Sequence, residues 1–233
     1  IALDPIRVGT PREHIDFQLW SPLAHDARVV VESQDGVRNA VIGSLRQWRG
    51  VLDDGYAVLT VDNSRVRGFT LRGGVIRPVR LDGNHLLEES AVQLQELRQP
   101  CSGLAAPEPP MRAVGSDRSN RSACGSLRVA FDSDWEFTND LFGGDADDAA
   151  AYIVELSGAI SVIQEAELGL PLEVTYVRTW SDATDPYDPS EPTDDLLDQF
   201  RIEWEANEPE SDRHVAHLLS GSSQPDSAGL ACR

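Results

Sequence analysis

Short apolar runs cut by turn residues mark the first third of the chain. Val29-Val30-Val31 precedes Gln34-Asp35-Gly36, residues 56–61 precede Asp62-Asn63, and residues 66–71 precede Gly73-Gly74. Runs of this length, bounded by Asp, Asn and Gly, read as strands. Residues 56–61, the turn Asp62-Asn63-Ser64 and residues 65–69 form a hairpin pattern. The connections are too short for crossover helices, so an antiparallel meander is expected. Leu86, Leu87, Val92, Leu94 and Leu97 fall near helical spacing and predict a short helix over 85–98. Residues 99–124 then change character. Pro100, Pro107, Pro109 and Pro110 are followed by Gly115-Ser116 and Ser119-Asn120-Arg121-Ser122. Such a segment has little to bury and several helix breakers, so it reads as a linker between a β-rich domain (1–98) and a second domain (125–233).

The second half alternates. Residues 127–131 form an apolar strand pattern. Asp145 can cap a helix running to about Leu168, with Tyr152, Ile153, Leu156, Ile160 and Ile163 on one face and Gly169 as its stop. Residues 172–177 read as a strand, 182–193 as a Pro/Asp-rich loop. Thr193 or Asp194 can cap a helix whose apolar stripe is Leu196, Leu197, Phe200 and Trp204. Residues 215–219 read as a further strand. This order implies a mixed α/β sheet with helices packed on it, and the fold class expected for the whole is α+β / α/β.

Charge narrows the function. The 233 residues carry 39 Asp+Glu against 20 Lys+Arg, a formal charge of −19, and all 20 basic residues are Arg. A phosphate backbone or an anionic bilayer attracts clustered Lys/Arg, so neither nucleic acid nor lipid docking is expected. No apolar run approaches the about 20 residues that span a bilayer, so membrane insertion is not expected either. The Lys-free acidic surface fits a halophilic or high-GC bacterial source, or plain acidic solubility. The absence of a Met start and of a signal peptide reads as a processed or excised piece. At 40% hydrophobic residues the chain can build a core. Cys101, Cys124 and Cys232 form no CxxC pair, which argues against a zinc ribbon, and the odd count leaves one thiol free or paired elsewhere.

Candidate chemistry is sparse. His214 and His217 occur as HVAH, which on a helix could put two imidazoles on one metal. Val215, Leu218 and Leu219 make the segment a better strand, where positions i and i+3 face opposite sides. His14, His25 and His85 stand alone and read as surface or turn residues. Asp132, Asp134 and Glu136 alternate after the first strand of the second half and could bind a cation or serve acid–base chemistry. Asp145, Asp147 and Asp148 crowd a helix start, where negative charge is favoured. Asp182, Asp185 and Asp188 read as a solvated loop. No GxSxG, Walker or GxGxxG pattern occurs.

Six segments of the second half occur together in a telling order: RVAFDSDWEF (128–137), AYIVELSGAISVIQEAELGLPLEV (151–174), YVRTWSDATDPYD (176–188), LLDQFRIEW (196–204), HVAHLLSG (214–221) and AGLAC (228–232). The order resembles the first part of the catalytic domain of reprolysin/adamalysin-like zinc metallopeptidases of the secreted bacterial type, over roughly residues 125–232. The resemblance implies a zincin-like mixed α/β sheet. Residues 46–81 look like the β-rich propeptide of such precursors. The family's HExxHxxGxxH motif, in which two His and a third bind zinc and Glu is general base, is not among these residues. The resemblance therefore implies a fragment that is inactive as given, with zinc belonging to the full-length protein and none expected on this chain. It implies an extracellular setting and a protein or peptide substrate, with Gly229, Leu230 and Ala231 in an edge strand that pairs with extended substrate. AGLACR departs from the aromatic and apolar continuation usual there. Cys101 could act as a latent-state zinc ligand, although RQPCSG does not match the usual switch closely; a disulfide with Cys124, or an inert thiol, is the alternative. Cys124 could instead pair with Cys232.

Two other functions compete: a non-catalytic binding or structural two-domain module, and a hydrolase in which Asp132, Asp134 and Glu136 converge on a cation.

Overall fold

A computed structural model describes residues 6–8, 13–43, 45–62, 65–82, 85–89, 125–208 and 211–221. In chain order the strands before the linker are β1 (Ile6–Val8), β2 (Glu13–Ile15), β3 (Phe17–Trp20), β4 (Leu23–Ser33), β5 (Gly36–Asn39), β6 (Arg46–Leu52), β7 (Gly55–Asp62), β8 (Arg65–Arg72), β9 (Val75–Asp82) and β10 (His85–Glu88). After it come β11 (Leu127–Ser133), α1 (Trp135–Phe142), α2 (Ala146–Leu168), β12 (Leu172–Trp180), α3 (Thr193–Asn207) and β13 (Val215–Leu219). The molecule is α+β, with two sheets and three helices among the described residues.

The first sheet has the order β2-β1-β10-β9-β8-β7-β6-β3. From β6 to β10 it is the expected antiparallel meander, and β7–β8 is the expected hairpin, with Val61 opposite Val66. One expectation fails here: residues 85–88 are strand, not the start of a helix. Leu86 pairs with Leu81 and Leu87 with Arg80, so the ladder offered by β9 outweighs the loose helical spacing. The remainder of that expected helix, 90–98, lies outside the described residues. The sheet curls until β2 reaches β6, and Ile15 joins Leu52, Ala57, Leu59 and Val79 in one core with Trp48 and Phe17 against it.

The second sheet has the order β13-β11-β12-β4-β5. β11 pairs in parallel with both β12 and β13, and β4 pairs in parallel with β12, with Val29 opposite Val177 and Val31 opposite Thr179. Two strands from before the linker thus extend a sheet built otherwise from residues after it. The Val29-Val30-Val31 run leaves the meander because both of its faces are covered here, which suits a parallel sheet.

α2 lies between the sheets. One side, with Ala149, Ile153 and Val154, packs on Val129, Phe131, Val174 and Val177 of the second sheet. Its other side meets the meander. Gln47 of β6 is buried and donates its side-chain amide to the carbonyls of Val154 (3.4 Å) and Glu155 (3.1 Å). Arg49 pairs with Glu165 at 2.5 Å and Arg67 with Glu155 at 2.6 Å. Gly158 is the close-approach point, since a Cβ there would sit 2.3 Å from the Gln47 amide nitrogen. The caps of α2 are those expected. Asp145 accepts from the amides of Asp147 and Asp148, and Gly169 ends the helix in the left-handed conformation at φ 69°.

α1 was not anticipated; Asp134 caps it by accepting from the Phe137 amide at 2.7 Å. For α3, the expected capping by Thr193 or Asp194 is not found. Thr193 is already the first helical residue, Pro192 holds the cap position, and no side chain caps the helix. Leu196, Phe200 and Trp204 are buried as its apolar stripe implies, and Leu197 is partly buried.

Candidate functional site

Alternation along β11, β12 and β4 separates the two faces of the second sheet. Toward α2 point Val129, Phe131, Val177 and Thr179. Toward α3 point Ala130, Asp132, Tyr176, Arg178, Trp180, Val30 and Glu32, and here the sheet carries its buried charge. Asp132 is 0% exposed and Arg178 1%. One carboxylate oxygen, Oδ2 of Asp132, accepts from Arg178 Nη2 (2.6 Å) and Nε (3.1 Å), from Tyr187 Oη (2.6 Å) and from Trp204 Nε1 (2.9 Å). The other, Oδ1, takes the amide of Ser133. Burial opposes the charge on Arg178, but Asp132 beside it more than compensates and raises its pKa. Burial and then the Asp132 charge raise the pKa of Tyr187, which keeps it a donor. Arg178 Nη1 extends to Glu32 (3.3 Å), Glu203 (3.2 Å) and Glu208 (3.8 Å).

Asp132 is therefore saturated and does not converge with Asp134 and Glu136. Asp134 is buried at the C-terminal end of β11, where it accepts from the amides of Phe137 and Gly221 and from the Ser220 hydroxyl. Burial outweighs those hydrogen bonds and raises its pKa. Asp185 approaches the same helix start and accepts from the Trp135 amide. Burial lifts its carboxyl to about 7, with Glu136 and Asp134 adding repulsion. Its loop neighbours behave as solvated turn formers: Asp182 binds Thr184 and the Gln34 amide, and Asp188 binds Ser190. Asp147, from the helix-start cluster, holds Arg38 through two bonds of 2.8 and 3.0 Å and takes the Val41 amide.

His214 and His217 do not converge. His214 Nδ1 accepts from the Arg128 amide just before β13, and His217 stands edge-on to Phe131 with ring centroids 5.8 Å apart. His25 is exposed on β4. His14 and His85 lie on β2 and β10. Among the described residues no group of three or more His, Cys, Asp or Glu could hold a metal ion. Cys101, Cys124, Cys232, Gly229, Leu230 and Ala231 lie outside the described residues.

β13 is an edge of the second sheet and is covered unequally. Ala216 and Leu218 pack under α3 with Tyr176 and Trp204. On the opposite face Val215 is 47% exposed and His217 is exposed, beside the part of the sheet that α2 covers. Arg178, Tyr187 and Glu32 were missed by sequence reading, and Trp204 was read only as part of the apolar stripe of α3. Their only signal was an Arg inside an apolar strand run, at position 178.

No protein-family model matches the chain, and no significant match was found among curated proteins. No helix of the structure is long and apolar enough to cross a membrane among the described residues.

Proposed function

We propose that this chain carries part of a secreted zinc metalloendopeptidase precursor: a β-rich propeptide-like region followed by the N-terminal part of a zincin-like catalytic domain. The observation that carries the reading is the open α2-side face of β13. Val215 and His217 stand exposed where the neighbouring strands are roofed by a helix, which leaves room for one further helix on that face. A zinc-binding helix bearing HExxH would sit there. In the full-length protein it would supply zinc-activated water for attack on a peptide carbonyl, with Glu as base. The residues present contribute the scaffold, since the motif is absent from the 233 residues.

The coding sequence beyond Arg233 tests the reading. An HExxH motif within a few dozen codons is expected; a stop codon or an unrelated domain there would overturn it. A chain extended through that motif should bind one zinc and cleave unfolded protein, with cleavage lost on changing the motif's Glu to Gln. The 233-residue chain itself should show no tight stoichiometric zinc binding by calorimetry.

A further inference from the structure

β12 has the burial of an interior strand. Eight of its nine residues are buried, and Glu173 alone is half-buried. A strand covered on both faces belongs inside a sheet, because at an edge its unpaired amides and carbonyls would lie open beside apolar side chains. Among the described residues, those after the linker supply β12 with a neighbour on one side, β11. The neighbour on the other side is β4, from before the linker.

The route of the chain makes β4 part of a docked arm. β3 and β6 pair with each other in the first sheet, with Trp20 opposite Gln47. Residues 23–39, between them, fold as the hairpin β4–β5, with Val31 opposite Arg38. These are the last two strands of the second sheet, so the arm reaches its place from the side and threads nothing.

Its grip is continuous. The ladder runs unbroken from Tyr176 opposite Arg28 to Trp180 opposite Glu32. Beyond it the Val174 amide donates to the Pro22 carbonyl (2.7 Å) and the Ser181 amide to the Glu32 carbonyl (3.0 Å). Val30 and Val31 are each 1% exposed, and Val29 and Val30 join the cores on opposite faces of the sheet. Glu32 reaches Arg178, and Arg38 holds Asp147 through two bonds. The meander itself meets α2 through the Gln47 amide and the partly exposed ion pairs Arg49–Glu165 and Arg67–Glu155. Such pairs contribute little each.

We propose that the β4 side of β12 is a strand-acceptor site whose partner is the hairpin β4–β5, held without need of the covalent link. A chain cut between residues 99 and 124, the Pro- and Ser-rich segment that composition marks for nicking, stays a two-piece complex. The piece before the cut is then a lasting, strand-donating subunit of the second sheet. This holds whether or not the chain is a peptidase precursor.

The test inserts a recognition sequence for a sequence-specific protease between Pro110 and Met111 of the full chain and hydrolyses it after folding. Cys101, Cys124 and Cys232 are kept reduced, so that no disulfide joins the pieces. At about 1 μM the two pieces should elute together, at the position of the uncut chain. Hydrogen exchange over residues 172–180 should be as slow after the cut as before it. In a dilution series, Val30→Ala should weaken the association of the cut pieces at least about tenfold. The same variant left uncut should keep its slow exchange, because the tether holds the arm at high effective concentration. Pieces of the unaltered chain that separate or precipitate on cutting overturn the proposal, as does faster exchange over 172–180. Cut Val30→Ala pieces that hold together as tightly as unaltered ones overturn it too, since the hairpin is then not the grip.

Discussion

The two faces of the five-stranded sheet are held by different physics. Toward α2, Val129, Phe131, Val174 and Val177 meet Ala149, Ile153 and Val154, an apolar contact with small helix residues that let the layers approach. Toward α3, the same strands bury Asp132 and Arg178 beneath Tyr187, Phe200 and Trp204. The apolar face spreads its stabilisation over many small contacts, each replaceable by a residue of similar volume. The charged face concentrates it in one carboxylate oxygen with four donors. Buried ion pairs of this kind are costly to break, because removing one partner strands the other charge.

Arg178→Met should therefore have the largest effect, a loss of about 3–5 kcal/mol in urea unfolding, because Asp132 is left buried and unpaired. The double variant Arg178→Met/Asp132→Leu should recover much of that loss. If the double is as unstable as the single, the penalty does not come from the stranded charge.

Gly158→Ala probes the third layer, where the meander meets α2. The new Cβ collides with the Gln47 amide, and a loss of about 1–3 kcal/mol is expected from crowding and broken hydrogen bonds. Adding Gln47→Ala should relieve part of it. On the apolar face, Ile153→Val removes one buried methyl group at a 0% exposed site and should cost only about 1 kcal/mol. A loss as large as that of Arg178→Met would erase the contrast between the faces.

A further effect concerns pH. The Asp185 carboxyl titrates at about 7 in the folded chain against an ordinary 3.8. The native state thus holds its proton where the unfolded state has released it, so stability declines as pH rises through the window between those values. Asp185→Asn should remove this component and flatten the decline, seen as a smaller spread of unfolding midpoints between about pH 4 and about pH 8. An unchanged spread would place the titration elsewhere.

Reading along the chain recovered what local pattern encodes. The 56–69 hairpin, the Asp145 cap, the Gly169 stop, the burial of Phe200 and Trp204 and the strand at 215–219 all follow from periodicity and turn chemistry. α1 escaped because its eight residues make only about two turns, although Asp134 three residues before Phe137 was a capping signal. The Asp132 cluster was legible as residues and not as an arrangement. Asp132 looked like a partner of Asp134 and Glu136, and its real partners lie 46, 55 and 72 residues away at Arg178, Tyr187 and Trp204.

Sequence by itself determined most of the longer strands and helices, because side-chain periodicity and capping act over a few residues, while β10 took its strand form from the ladder offered by β9. It also determined the acidic composition, with a formal charge of −19. Only the tertiary structure decided that Val29-Val30-Val31 joins the second sheet rather than the meander, and that Arg178 neutralises Asp132. A valine run offers the same ladder of hydrogen bonds to any strand, and a charge finds its partner only when the fold closes the distance.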